Sequence, residues 1–393
     1  MTIPLLFVQG SSERAGAERM LYNLLKYLDR SLFAPTVVFN VEGPFVDEVK
    51  GLNIPILRST PASRVRDFRS WKRSIDEIAD AAKTSGARLI LANGERMSIF
   101  AGRAAKAVNV ASVSWLHDAP GARGLSGRAV QWLLSRTPQT TFVTCSEWLA
   151  EDFNAKLKLG AVCITNGLDL AAMPDHSDAV RTIKSQQGWG SDSVVIGHFG
   201  RLERWKGTDV FIRAAGRLLA TSPDLRFLVV GDTLYGRDTD FFEELRSQAN
   251  GLGLEGKLVF TGYRADALEV MSGVDVVAHC SLAPDPFPTV VLEGMALGRL
   301  VVATTTRGPE EALVHGETGM LVPPGDDAAL ADVIATSVGR QGFIEQVGDR
   351  ARLVAHSRFA ATRMAAEFQK VFQALLVKQP LSSDGNTDEK ASR

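Results

Sequence analysis

Cysteine is scarce in this chain. Cys145, Cys163 and Cys280 lie far apart and form no C-x-x-C pair, which excludes a disulfide framework and a zinc ribbon and suits a reducing compartment. The three are expected to be small core residues. Excess charge of either sign is also missing: 44 Lys and Arg stand against 45 Asp and Glu. The electrostatic footprint of a nucleic-acid binder is therefore absent, and no nucleic-acid partner is expected. No apolar run has the length of a membrane-spanning helix, and MTIPLLFVQGSS has neither the basic start nor the long apolar middle of a signal peptide. A cytoplasmic protein is expected, at most peripheral on the cytoplasmic membrane face. The loop after the first apolar run, GSSERAGAER, is not G-x-G-x-x-G, which argues against a nicotinamide dehydrogenase. No D-x-D or histidine cluster arranged for a divalent ion stands out.

What the chain does have is alternation. Short β-branched runs alternate with stretches of helical period, the pattern of a doubly wound parallel sheet. In the first half the strand candidates are residues 4–9, 35–40, 54–57, 88–92, 110–115, 141–145 and 162–165. After Gly167 the text turns polar and irregular, and the alternation resumes at 194–199, 226–231, 257–262, 274–279 and 299–304. The expected organisation is α/β, with two Rossmann-like domains facing across a cleft: residues 1–167, a linker over 168–193, a second domain over 194–356, a helix in 357–380 that crosses back to the first domain, and a disordered tail over 381–393. Ligands of such sheets bind beyond the carboxyl ends of the strands, so the loops there are the ones to question.

Three of those loops carry chemistry. LHDAPG places His117 and Asp118 after one strand. GRLERWKG puts Arg201 at a strand end and Lys206 just before Gly207 and a helix, two cations beside free amides that suit a phosphate or diphosphate. PDPFPTVVLEGMALG sets Asp285 in an approach loop and Glu293 inside a helix of about ten residues beginning near Pro288. An ordinary capped helix with one exposed Glu also fits the last stretch taken alone. In the first domain, Gly10 and Gly16 would let backbone approach a ligand, or simply make a tight turn.

Together these residues carry a resemblance. GRLERWKG is similar to the G-R-x-x-x-x-K-G segment of the retaining nucleotide-sugar glycosyltransferases of family 4, which have the GT-B architecture. DPFPTVVLE resembles their E-x7-E motif, and RGPEEALVHGETGMLVPPGD resembles the block after it. AGAERMLYNL, SGARLILANGERM, TCSEWLAEDF and ITNGLDL also resemble family segments, so the likeness covers all but the tail.

The resemblance implies that the second domain binds a nucleotide-diphosphate sugar and the first receives a glycan, lipid-linked or small-molecule acceptor. Arg201 and Lys206 would hold the diphosphate, and Glu293 would accept from the ribose hydroxyls. The Thr289 and Val290 amides would face phosphate, the Phe287 amide and Asp285 the donor sugar. His117 would stand near the donor sugar and acceptor, and Gly16 would bring backbone to the phosphates from across the cleft. Transfer would proceed with retention of anomeric configuration and without a metal or other cofactor. Two positions depart from the family pattern. The first acid is Asp285, shorter than Glu by one methylene of about 1.5 Å, and Pro288 replaces a common Gly.

Other readings are a non-catalytic nucleotide-sugar-binding partner, a nucleotide-sugar epimerase and a sugar-phosphate synthase. A glycoside hydrolase would have no use for the cation pair. Residues 64–83 begin with a basic stretch containing Phe68 and Trp71. It reads either as a surface helix packed on the first domain or as a peripheral membrane contact through residues 64–73.

Overall fold

A computed structural model describes residues 2–13, 15–60, 68–119, 124–138, 140–174, 178–233 and 239–378. The tail expected over 381–393 and residues 64–67 of the membrane-contact stretch lie outside them.

Runs such as PLLFV and FLVV are apolar without alternation because both faces of their sheets are covered. The first sheet contains β1 (Ile3–Gln9), β2 (Phe33–Phe39), β3 (Ile56–Arg58), β4 (Leu89–Asn93), β5 (Ala111–Leu116), β6 (Thr140–Thr144) and β7 (Val162–Cys163). All are parallel, in the order β3-β2-β1-β4-β5-β6-β7. The second contains β8 (Val195–Phe199), β9 (Arg226–Val230), β10 (Leu258–Gly262), β11 (Val276–His279), β12 (Leu300–Thr304) and β13 (Met320–Val322), again parallel, in the order β10-β9-β8-β11-β12-β13. The α/β class with two Rossmann-like sheets agrees with the sequence reading. In each sheet the chain reverses its direction of travel once, between β1 and β4 and between β8 and β11. Loops leaving those strand pairs diverge and open a crevice.

Two elements differ from the sequence reading. β13 lies in a block read only as a motif. The stretch after Gly167 contains a helix, Ala179–Gln186, whose only buried residues are Val180 and Ile183.

The C-terminal helix Ala361–Val377 packs against the first domain. Its Phe368 ring lies 4.5 Å from Trp115, and Phe372 meets Phe7 and Phe33 edge-on. Backbone bonds from Leu168 N–H to the Phe359 carbonyl and from Ala361 N–H to the Leu168 carbonyl seat its start. On the basic helix Phe68–Thr84, Trp71 turns inward and meets Phe100 at 5.0 Å, while Ile78, Ala79 and Ala82 are buried. Trp71 is therefore partly buried and packed on the core rather than free surface. No helix among the described residues is long and apolar enough to cross a membrane.

Three further ties join the domains beside the crevice. The Trp148 indole N–H donates to the Pro286 carbonyl at 3.1 Å, and the Asn166 amide to the Phe287 carbonyl at 3.0 Å. Glu311 accepts the Glu147 and Trp148 amides at 2.9 and 2.7 Å, so a second-domain carboxylate caps a first-domain helix. Glu311→Ala is expected to cost about 1 kcal/mol of stability, the usual worth of a helix cap, and to speed hydrogen exchange at the first turn of the helix Glu147–Leu157. Unchanged exchange there would contradict that role.

Candidate functional site

The second-domain half of the crevice is built from the loops after β8 and β11. Beyond β8 the chain passes Gly200 to Arg201, which is exposed and pairs with Glu203 at 2.9 Å. A turn of 3₁₀ helix, Arg204–Lys206, lays the Lys206 ammonium 4.0 Å from the Trp205 ring centre. Gly207 follows at φ +70°, and a Cβ there would stand 2.0 Å from the Cys280 carbonyl oxygen. Only glycine lets this loop lie so close to the end of β11. Lys206 is thereby brought to the second loop.

In that loop Asp285 is 6% exposed. Its Oδ2 accepts from Lys206 Nζ at 2.6 Å, from His279 Nε2 at 3.0 Å and from Ser281 Oγ at 3.0 Å. Burial alone would raise its pKa, but the Lys206 charge and the His279 bond outweigh that and hold the carboxyl well below the usual range. Asp285, the residue expected to face the donor sugar, is thus tied to Lys206, His279 and Ser281 through one oxygen. A Cβ on Gly308 would lie 2.1 Å from the Asp285 carbonyl oxygen, so neighbouring backbone presses on the loop as well.

Pro288 is the N-cap, with extended ψ of 122°, rather than the first helical residue, and the helix Thr289–Ala296 is shorter than expected. The Pro288 carbonyl accepts from Val291 and Leu292, and the Thr289 and Val290 amides have no hydrogen-bond partner among the described residues. The Phe287 ring packs into the core against Phe359 at 5.6 Å, leaving only its backbone for a ligand. One turn further, Glu293 is half-buried. Burial raises its pKa to about 7, against a hydrogen bond from Thr289 and the charge of Arg19 across the crevice.

A carboxyl whose folded pKa is raised binds its proton more tightly when folded. Its contribution is fully favourable below the ordinary value of 4.5 and is lost as pH rises through about 7. Glu293→Gln is therefore expected to be about 3 kcal/mol more stable than the parent at pH 8 and indistinguishable from it near pH 4. Unfolding curves at the two pH values decide this, and equal stability at pH 8 would contradict it.

The first-domain half comes from the loops after β1, β4 and β5. A Cβ on Gly16, at the start of the helix Gly16–Tyr27, would lie 3.8 Å from the Thr289 Cγ2 methyl, so two helix N-termini face each other across the crevice. His117 Nε2 lies 2.7 Å from Asn93 Oδ1, and Asn93 Nδ2 in turn donates to Gln9 Oε1 and the Ala17 carbonyl. Burial lowers the His117 pKa to about 3, so the ring is neutral. Glu95 Oε1 accepts the His117 and Asp118 amides at 3.1 and 3.0 Å. Burial and the Asp118 charge raise the Glu95 pKa to about 7.

The structure thus brings together Lys206, Asp285, Thr289, Val290 and Glu293 on one wall, and Gly16 and His117 on the other. Arg201 stands at the rim, close enough to Glu18 for its charge to lower that carboxyl's pKa against the raising effect of burial. Gln9, Glu18, Asn93, Glu95, His279 and Ser281 were not singled out from sequence. Position just past a strand is the signal that finds Glu95, whereas Asn93 closes β4 and becomes a site residue only through its pairing with Gln9 on β1.

Residues 193–339 match the family model described as "Glycosyl transferases group 1", and residues 14–172 the one described as "Glycosyltransferase Family 4". Among curated proteins, the chain is 30% identical over 241 residues to a phosphatidyl-myo-inositol mannosyltransferase of Mycolicibacterium smegmatis, covering 59% of this chain and 57% of that one. It is 25% identical over 264 residues to the lipopolysaccharide core biosynthesis mannosyltransferase LpcC of Rhizobium leguminosarum, covering 65% and 74%. The chain thus spans about half the length of the first of these relatives. Among solved structures, Anabaena HepE in complex with UDP and glucose superposes with a TM-score of 0.82 at 28% identity, over 94% of this chain and 99% of that one. A sucrose-phosphate synthase of Thermosynechococcus elongatus, at 16% identity and a TM-score of 0.78, shares the fold.

Proposed function

Because the chain belongs to the group 1 and family 4 glycosyltransferases, we propose that it moves a sugar from a nucleotide-diphosphate sugar to a hydroxyl acceptor with retention of anomeric configuration. The observation that carries this reading is the second-domain wall itself. A lysine, the open N-terminus of an eight-residue helix and a carboxylate one turn inside it stand in a row, facing a second helix N-terminus at Gly16. Such a row matches a ligand that is anionic in its middle and hydroxyl-rich at its end. The UDP-glucose held by an Anabaena HepE structure is a ligand of that class.

In this reading the bond from the anomeric carbon to the diphosphate oxygen breaks, and its electron pair leaves with the phosphate. Lys206, Arg201 and the Thr289 and Val290 amides neutralise that growing charge. The acceptor hydroxyl attacks from the same face and gives its proton to the departing phosphate oxygen. Glu293, ionised, accepts from the ribose hydroxyls, and the Phe287 amide faces the donor sugar. Asp285 serves by holding Lys206 in place. No metal or other cofactor is required, because the protein's own cations face the diphosphate.

The relatives act in glycolipid and lipopolysaccharide assembly by name. A glycan or lipid-linked acceptor in cell-envelope or polysaccharide biosynthesis, met at the cytoplasmic membrane face, is accordingly the class proposed here. The test is a donor-consumption assay with UDP-, GDP- and ADP-sugars against a panel of polyol, glycan and lipid acceptors, with the product anomer read by NMR. A retained anomer supports the reading. Inversion would contradict the stereochemistry, and nucleotide-sugar binding with no transfer to any acceptor would favour a binding partner.

A further inference from the structure

We propose that Gln9, Asn93 and Glu18 are positioning residues that fix His117 as a hydrogen-bond acceptor, so that the substrate group meeting it carries a proton: a hydroxyl rather than a carboxylate, phosphate or ether. The statement about the substrate rests on the transferase reading. The statement about the ring does not.

The argument follows the donors along a chain of buried amides. Gln9 Nε2 donates to the Ser11 carbonyl at 2.9 Å and to Glu18 Oε1 at 3.0 Å, which uses both its hydrogens. Both partners lie on the acceptor side, so Gln9 is oriented and its Oε1 points the other way. There it receives Asn93 Nδ2 at 2.8 Å. The second hydrogen of that amide goes to the Ala17 carbonyl at 3.1 Å. Asn93 is oriented in turn, and its Oδ1 faces His117 Nε2 at 2.7 Å. Turning either amide over would set oxygen against oxygen at two contacts. Oδ1 can only accept, so Nε2 must carry the proton.

Burial keeps the ring neutral, its pKa lowered to about 3, and a neutral imidazole has one N–H. Nδ1 therefore carries a lone pair. Among the described residues nothing hydrogen-bonds to Nδ1, and it is not one of the chain's sealed orphan atoms. Gln9 and Asn93 are 2% and 6% exposed, so water cannot easily re-orient the chain. A neutral acceptor at a strand end leading into the crevice selects a donor. A uronate carboxylate or a phosphate placed there would set lone pairs against a lone pair.

The hydroxyl could belong to the transferred sugar or to the acceptor, and one set of experiments separates the two. Protein labelled with ¹⁵N-histidine, with His117 assigned by loss of its signal in His117→Gln, is expected to show neutral His117 protonated on Nε2 from pH 6 to 8. An Nδ1–H ring or a charged ring would overturn the proposal. Asn93→Leu removes the acceptor at Nε2 and is expected to shift the His117 ¹⁵N pattern towards a tautomer mixture, and an unchanged pattern would show that the amide chain does not set it.

Turnover is then measured with UDP-glucose, or with the GDP or ADP counterpart that calorimetry shows to bind. His117→Ala is expected to lose about 100-fold in turnover, while His117→Gln, which can offer a carbonyl oxygen, stays within about tenfold of the parent. If the loss persists in acceptor-free hydrolysis, and a monodeoxy donor is poor for the parent but no worse for His117→Ala, the hydroxyl is on the donor sugar. If the loss appears only in transfer, it is on the acceptor. Equal turnover of His117→Ala and parent in both assays would overturn the substrate half. Absence of nucleotide-sugar binding altogether would instead defeat the transferase reading, with the tautomer still decided by NMR.

Discussion

Lys206→Ala is expected to lower the turnover number by about 10²–10³-fold while changing the donor Michaelis constant far less. Charge on the diphosphate grows as the sugar leaves. An ammonium aimed at it is therefore worth more in the transition state than in the bound ground state. The geometry supports such an assignment. Gly207 presses the loop onto the end of β11, Trp205 lies under the ammonium at 4.0 Å, and Asp285 holds it at 2.6 Å. One N–H is thus anchored, and the side chain loses little freedom when it meets a phosphate. Steady-state kinetics with the donor varied measures both constants. A raised Michaelis constant with unchanged turnover would mean that Lys206 only binds the ground state.

Asp285→Ala is expected to destabilise the protein by about 3 kcal/mol or more, the usual result of removing one partner from a buried charge pair. One carboxylate oxygen satisfies three donors, from Lys206, His279 and Ser281. Its loss would leave the Lys206 charge uncompensated. The His279 ring, whose Nδ1 already has no partner, would then depend on Ser281 alone. Lys206→Met combined with Asp285→Leu removes both charges and should recover most of the lost stability while remaining inactive, which separates the structural role from the chemical one.

Because the Asp285 pKa is depressed in the fold, its contribution is present above the ordinary value of 3.8 and is lost as pH falls through the folded value. The gap between parent and Asp285→Ala should therefore narrow in strong acid. Urea unfolding followed by tryptophan fluorescence at pH 7 and near pH 3 measures it. A loss below 1 kcal/mol at pH 7 would contradict the buried network.

The sheets were legible because strands covered on both faces read as unbroken apolar runs, and Leu5–Val8 and Val276–Ala278 are almost wholly buried. β13 escaped because three residues between Gly319 and Pro323 leave no run to see. The helix Ala179–Gln186 escaped because two buried residues make no apolar stripe. Arg201, Lys206 and Glu293 could be found by place alone, each in or just past a loop leaving a strand at a switch point.

The supporting residues could not be found that way. His279 and Ser281 sit in VDVVAHCS, where the apolar run masks them, and their function depends on Asp285 folding back onto the strand end. Gln9 and Asn93 become an oriented chain only when β1 and β4 pair, with Gln9 opposite Asn93 in the parallel register. That pairing joins residues 84 positions apart, which no local pattern can reveal. Asp285 was legible as an acid at a loop. Its partner was not, because the bond from Lys206 joins residues 79 positions apart.

The most direct test of the central claim is isothermal titration of the protein with UDP-, GDP- and ADP-sugars, repeated on Glu293→Ala. The account predicts that one nucleotide class binds the parent and binds Glu293→Ala at least about 100-fold more weakly, the loss of a charge-assisted pair to the ribose. Binding that Glu293→Ala leaves unchanged, or no binding by any class, would contradict it.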